Sequence, residues 1–298
     1  MNKFPAAAGL ALALISGSAF AADLPSRKAP PVAVPSAYNW GGLYGGINVG
    51  YGFANGSTST GSLAGTYSQG TAATSVPVSA TWANSAMAPS GVVGGGQLGY
   101  NYQITPMFVA GIEADIQASD MGSTVNYTVA NLSGNGYTAI NNAKNIDWFG
   151  TARGRLGVVV PGYSNFLVYG TGGFAYGYVN NTVGLGTTIT TLPNVGAIGG
   201  SSTSGNTQVG WTAGGGVEWS PQTFPAWSAK VEYLYTDLGS TNQGIYSSYA
   251  GGAATSATIT TSGVFGANHQ SPTQFNTVRA GLNWHFNPFV GEPIVAKY

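Results

Sequence analysis

The chain has 298 residues, of which 6% are charged and 43% hydrophobic, with nine Lys and Arg against nine Asp and Glu. Soluble domains average about 25% charged residues, so the composition argues against an ordinary soluble domain, and the balanced charge leaves no basic surface for nucleic acid. The absence of Cys excludes a disulfide framework, a thiolate metal site and a cysteine nucleophile.

Residues 1–21 have the pattern of a secretory signal peptide. Lys3 lies in a short basic region, an apolar run follows from Ala6 to Ile15, and Ala19-Phe20-Ala21 fits an A-x-A cleavage site. A membrane-anchoring helix is the alternative, but the run is shorter than the roughly 20 residues that a bilayer requires. Cleavage after this motif leaves eight basic and nine acidic residues, a net charge of about −1.

Residues 22–38 follow as a proline-rich tail. The four prolines at positions 25, 30, 31 and 35 prevent regular helix or central strand. We predict a short extended tail in the periplasm.

Eight segments then alternate apolar and polar residues with the period of two that a β-strand has. We predict strands at residues 42–53, 92–104, 108–118, 146–160, 166–179, 207–219, 227–239 and 275–286. Each is close to the 9 to 11 residues with which a tilted strand crosses a bilayer. The fifth segment is too rich in aromatic residues and Gly for its two faces to be assigned.

Short and long connections alternate between these segments. The connections at residues 105–107, 161–165 and 221–226 are short and contain proline, whereas the other four are each longer than about 25 residues and are rich in Ser, Thr, Ala, Gly and Asn. That composition suits mobile, solvated segments without a readable pocket. A soluble β-sandwich would have no reason to place every long connection at one end. Residues 39–286 are therefore predicted to form an all-β fold, an eight-stranded antiparallel up-and-down transmembrane β-barrel with three short periplasmic turns and four long external loops.

The alternation assigns eight charged side chains to the lumen of this barrel. They are Glu113, Asp115, Arg153, Arg155, Glu218, Lys230, Glu232 and Arg279. The third and fourth segments are antiparallel neighbours, which makes the two acidic residues of one the expected partners of the two arginines of the other. Lys230 and Glu232 likewise face Arg279. An eight-stranded barrel is just wide enough for side chains to fill it, so we expect a structural charge network that fixes register, and a gated path for ions or small solutes is the alternative.

No constellation predicts a catalytic, cofactor or metal site. Gly94-x-Gly96-x-x-Gly99 matches the dinucleotide fingerprint as a string, but it continues into a strand and opens no helix. His269 lies in the last predicted loop and His285 near the other end of the last strand, so they do not share a site. His269 could form a catalytic site with Asp120 or Asp237 at the outer rim, but a solvated loop histidine is the favoured interpretation.

Seven motifs follow one another along the chain: WGGLYGGINVGYGF, GIEADIQ, WFGTARGRLG, YGTGGFAYG, GWTAGGGVEW, KVEYLYTDLG and VRAGLNWHF. As an ordered set over about residues 38–286 they resemble the small immunogenic outer-membrane proteins of alphaproteobacteria, which belong to the OmpA-type superfamily of eight-stranded barrels. The resemblance implies an abundant, porin-like surface protein that supports envelope integrity rather than an enzyme. Expected partners are the outer-membrane lipid and lipopolysaccharide, the outer-membrane assembly machinery, and host or surface ligands of the loops. We expect a monomer without a cofactor.

The end of the chain departs from the usual pattern of such barrels, which close on an aromatic residue that the assembly machinery reads. Here Phe286 is followed by residues 287–298. Either these residues are a periplasmic extension, or Tyr298, with Ala296 and Ile294 at alternate positions, is the terminal signal.

Overall fold

The computed structural model describes residues 38–69, 74–190, 198–251 and 261–286. The predicted signal peptide (1–21), all but the last residue of the proline-rich tail (22–38) and the C-terminal extension (287–298) lie outside the described residues, so these stay predictions. Within the described ranges the regular structure is β-strand, and no helix with the length and apolar character of a membrane span is found there.

Ten strands occur in the described residues. They are β1 (Gly42–Phe53), β2 (Ser57–Gln69), β3 (Thr74–Met87), β4 (Ser90–Gln103), β5 (Phe108–Ala130), β6 (Gly136–Val160), β7 (Tyr163–Ile189), β8 (Ile198–Trp219), β9 (Trp227–Gly251) and β10 (Thr261–His285). The eight predicted strands correspond to β1 and to β4 through β10.

These eight strands form a closed antiparallel ring. The neighbours follow the order β1, β4, β5, β6, β7, β8, β9 and β10, and β1 pairs back to β10. The predicted short turns join β4 to β5, β6 to β7 and β8 to β9. The prediction of an eight-stranded antiparallel barrel is confirmed, and we call the end with these turns the short-turn end.

Side chains along the strands alternate between the inside and the outside of the ring, as the sequence predicts. On β5, Ile112 and Ile116 are more than half exposed on the outside of the ring, whereas Glu113 and Asp115 are buried inside it. The faces of β7, which the sequence left open, are now assigned: Leu167 points inward. A ring of outward apolar side chains therefore surrounds an interior that holds the charges.

The strands continue far beyond the predicted lengths at the opposite end. β5 to β10 have 22 to 27 residues each, and the first predicted loop folds as the β2–β3 hairpin. β2 pairs with the first half of β10, for example at Thr60 opposite Gln270, while β1 pairs with the second half. We call β2, β3 and the adjoining halves of β5 to β10 the long-loop extension.

An apolar cluster fills the interior of the long-loop extension. It includes Leu63, Trp82, Ile140 and Leu185, each at most 5% exposed. The expectation that these segments are mobile and solvated is therefore wrong for the described residues. In these segments the apolar residues alternate with Ser, Thr, Gly and Ala. This alternation is weak, and the loop-like composition therefore hides the strands in the sequence.

Candidate functional site

Eight charged side chains meet inside the barrel, and they are the eight that the sequence assigned to the lumen. Glu113 and Asp115 come from β5, Arg153 and Arg155 from β6, Glu218 from β8, Lys230 and Glu232 from β9, and Arg279 from β10. Each side chain is at most 2% exposed. We call this group the lumen charge network. Four carboxylates face four cations, so its formal charge is zero.

Arg153 lies at the centre of the network. One of its terminal nitrogens is 2.5 Å from Glu113 Oε1 and 2.9 Å from Asp115 Oδ2, and the other is 2.9 Å from Glu232 Oε1. Its Nε donates to Thr151 Oγ1 at 2.9 Å. A single guanidinium thus connects β5, beside it, to β9 on the other side of the lumen.

Arg279 and Lys230 complete this part of the network. Arg279 donates from Nε to Glu232 Oε2 at 2.7 Å and from a terminal nitrogen to Asp115 Oδ2 at 2.8 Å. Lys230 Nζ lies 2.8 Å from Glu113 Oε1. Glu232 lies opposite Arg279 in the register expected from the sequence. The contact between Lys230 and Glu113 crosses the lumen, so no pattern in the sequence predicts it.

Arg155 joins the network to two tyrosines. It bonds Glu218 Oε2 at 2.7 Å and donates to the hydroxyl of Tyr44 at 2.7 Å. The Tyr44 hydroxyl in turn donates to Glu113 at 2.7 Å, and the Arg155 guanidinium lies 3.9 Å from the ring centre of Tyr169. Sequence reasoning missed both tyrosines, although the inward position of Tyr44 was recognisable from the alternation along the first strand.

Gly99 makes room for Tyr44. A Cβ at this position would collide with the ring of Tyr44, which lies over it from the neighbouring strand. The glycine string Gly94-x-Gly96-x-x-Gly99 lies within β4, and at Gly99 its role is to let an aromatic ring reach the lumen charge network.

Apolar clusters lie on both sides of the lumen charge network. Toward the short-turn end, Trp40 is fully buried with Val109, Val159, Leu167 and Tyr169, and its indole nitrogen donates to the backbone oxygen of Ser164 at 3.0 Å. Toward the long-loop extension lies a second cluster, formed by Val93, Met121, Ile146, Phe149, Ala175, Val179, Leu238 and Phe275. Because these residues come from six of the eight ring strands, side chains fill the lumen across its width.

A separate polar layer lies in the long-loop extension, outside the predicted bilayer span. His269 is 1% exposed, stacks on Trp82 and bonds Asn142 through Nε2 at 3.0 Å, so the prediction of a solvated loop histidine is wrong. Burial lowers the pKa of His269 to about 4, with a smaller contribution from the charge of Lys144. Asp237 bonds Gly239 and Gln274 instead, and the described residues show no bond between His269 and a carboxylate.

Lys144 lies in the same layer. Its Nζ donates to the backbone oxygen of Pro272 at 2.5 Å and to Thr273 Oγ1 at 3.3 Å. Burial lowers the pKa of Lys144 to about 8. Among the described residues it forms no ion pair, which distinguishes it from the four cations of the lumen charge network.

Ser228, His285 and Glu218 lie together near the short-turn end, but they do not have the geometry of a catalytic triad. His285 Nε2 is 2.9 Å from Ser228 Oγ and 3.6 Å from Glu218 Oε1. In a triad, the serine and the carboxylate bond to different ring nitrogens, whereas here both approach Nε2. All three residues are at most 3% exposed, so this group is suited to satisfying Glu218 and not to receiving a substrate.

Comparisons with known proteins agree with this architecture. A family model for the outer membrane protein beta-barrel domain matches residues 7–286. The 31 kDa outer-membrane immunogenic proteins of Brucella melitensis and Brucella suis are each 33% identical over 277 residues, which cover 92% of this chain and 96% of the relative.

Solved structures give a weaker likeness. OprG from Pseudomonas aeruginosa has a TM-score of 0.40 at 11% identity, over 82% of this chain and 97% of that one. The outer membrane protease OmpT from Escherichia coli has a TM-score of 0.29 at 14% identity, over 81% and 97%. TM-scores this low carry no argument about function.

Proposed function

Because the chain belongs to the outer membrane β-barrel family and is located in the bacterial outer membrane, we propose that it is a structural, surface-exposed barrel that supports envelope integrity. In this proposal the lumen is filled by side chains and does not serve as an open pore. The long-loop extension is the external part, and the Brucella relatives are named as immunogenic proteins.

One observation carries the proposal: a neutral charge network is enclosed between two apolar clusters. An ion that crosses the lumen has to separate buried ion pairs and then pass a layer that includes Phe149 and Phe275, whose ring centres are 5.1 Å apart. Leaving a buried charge without its partner is costly, about 3–5 kcal/mol when one partner is removed by substitution, and an ion in an apolar layer costs considerably more. Such an interior favours a mechanical role, in which cross-lumen ion pairs hold opposite strands together.

Catalysis is not part of the proposal. The residues of the network bond one another, and the group of Ser228, His285 and Glu218 is both buried and misaligned for proton transfer. The partners that we propose are the surrounding lipid and lipopolysaccharide, the assembly machinery and ligands of the external surface, with the protein as a monomer.

A narrow channel for ions or small solutes is the second candidate. It is favoured by uncharged polar side chains that line the lumen beside the network, including Asn48, Gln97, Asn101 and Gln117, all at most 7% exposed. Such residues are a suitable lining for a path of water if the charged side chains rearrange.

The envelope role is tested by deletion and complementation in the native bacterium. We expect the deletion strain to take up more of a hydrophobic dye and to resist detergent less well, and wild-type protein to restore both. Uptake and resistance that do not change on deletion, in a strain shown to lack the protein, would contradict the proposal.

A further inference from the structure

A groove of about 490 Å³ runs along the outer wall of the long-loop extension, across β2, β10 and β9. Exposed amide and hydroxyl side chains line it: Thr60 and Ser62 from β2, Asn268 and Gln270 from β10, and Asn242 from β9. The volume lies within the roughly 300–1,000 Å³ that is usual for small-molecule sites. Neither Asn242 nor Asn268 forms a side-chain hydrogen bond with another described residue, so both amides face the groove free to bond a ligand.

An exposed aromatic ring lies at one end of this groove. Tyr246 follows the groove residue Gly244 on β9, pairs with Gly266 of β10 and is 85% exposed. A Cβ on Gly244 or on Gly266 would come within 3.3–3.4 Å of the Tyr246 ring. The ring therefore rests over two positions that lack side chains, and it presents a platform to the solvent beside the polar groove.

The charge of the surrounding surface restricts the class of ligand. All five cations of the described residues, Lys144 and the four of the lumen charge network, are buried inside the barrel. The described charged residues outside the interior are Asp120, Asp147 and Asp237. A surface without cations gives no counter-charge to phosphate or sulfate groups, and the amides and hydroxyls do not suit an apolar ligand.

We propose that the groove binds a neutral oligosaccharide, namely the sugar part of the lipopolysaccharide in the outer leaflet of the membrane that contains the protein. Sugar hydroxyls are donors and acceptors at once, as are the Asn, Gln, Ser and Thr side chains of the groove, and the C–H face of a sugar ring packs against the electron-rich face of an aromatic ring. The position of the groove on the outer wall indicates where the sugar comes from. On β9 the lipid-facing Val231 and Tyr233 lie on the same outer wall, so the groove opens sideways, above the lipid, into the layer of membrane-bound sugars.

The test is a titration of folded, purified protein with two probes: the neutral fraction of the oligosaccharide released by mild acid from the lipopolysaccharide of the same bacterium, and maltoheptaose as an unrelated neutral sugar. We expect the first probe to bind, Tyr246→Ala to weaken its binding at least tenfold, and Asn268→Ala to weaken it severalfold. Tyr137→Ala is the matched control, since Tyr137 is an exposed tyrosine of β6 outside the groove, and it should bind like wild type. Heat-modifiable migration shows that each variant is folded.

Three results would overturn the inference. They are no binding of the released oligosaccharide, binding that both groove substitutions leave unchanged, and tighter binding of maltoheptaose than of the native sugar. If Tyr246→Ala does not fold, Asn268→Ala gives the decision on its own. The inference rests on the proposed function for the external position of the groove and for lipopolysaccharide as a partner, and its failure would leave the test of envelope integrity unaffected.

Discussion

Replacing Arg153 by Met removes the central cation of the lumen charge network and keeps most of the side-chain volume. Three carboxylates lose a partner at 2.5–2.9 Å, namely Glu113, Asp115 and Glu232. Each keeps at least one cation: Glu113 keeps Lys230 at 2.8 Å, with Arg155 and Arg279 at 3.5 and 3.8 Å, and the other two keep Arg279. The network nevertheless changes from neutral to a net charge of −1 in an interior closed to solvent.

The expected loss of stability is about 3–5 kcal/mol, the usual effect of removing one partner of a buried ion pair. A single attraction between unit charges about 4 Å apart is worth roughly 4 kcal/mol at an effective dielectric constant of 20. Arg153→Met removes three such attractions, but the remaining cations of the network offset part of this loss. Adding Glu232→Gln restores neutrality. We therefore expect the second substitution to cost at least about 1.5 kcal/mol less in the Arg153→Met background than in wild type, a coupling within the range for residues in contact.

Urea unfolding in lipid vesicles, followed by the heat-modifiable band on gels, measures these free energies for the wild type, both single variants and the double variant. The reasoning is refuted if Arg153→Met lies within about 0.5 kcal/mol of wild type, or if the two substitutions are additive.

The remaining predictions concern other layers of the molecule. In the folded protein the pKa of Lys144 is about 8, below the usual value of 10.5. The unfolded state therefore binds more protons than the folded state between pH 8 and 10.5. Over that range the stability of the long-loop extension should rise with pH by up to about 1.4 kcal/mol per pH unit. Hydrogen exchange should detect this rise in wild type and not in Lys144→Met, and a rise that persists in the variant would assign it to another group. Trp82→Ala opens a cavity in the apolar cluster of the extension and should cost about 3–5 kcal/mol there, which limited proteolysis detects as cleavage within residues 57–87 while the heat-modifiable shift is kept; a resistant hairpin would contradict the packing. Deleting residues 287–298 should leave assembly intact if Phe286 is the terminal signal, and loss of the folded band would assign that role to Tyr298.

The ring and its charges were predictable from the sequence because both depend on a period of two. Arg153 and Arg155 are two positions apart in an apolar strand, so they share a face, and Glu113 and Asp115 do the same on the neighbouring strand. Strand order in an up-and-down barrel follows chain order, so the sequence alone predicts that these four residues are neighbours.

Contacts across the lumen were not predictable in this way. The bond between Lys230 and Glu113 depends on how far two long side chains reach over the interior. Tyr169 remained unassigned because its strand carries aromatic residues and glycines on both faces. The β2–β3 hairpin was missed for a related reason: its inward residues, such as Leu63 and Trp82, alternate with Ser, Thr and Ala in a composition that is typical of loops.

Conductance of purified protein in planar bilayers tests the filled lumen most directly. The structure predicts no steady openings for wild type at neutral pH, since the neutral network is closed on both sides by apolar clusters that include Trp40 and Phe275. Steady, solute-permeable openings from folded protein, at a frequency proportional to the amount reconstituted, would contradict the account and establish the narrow channel in its place.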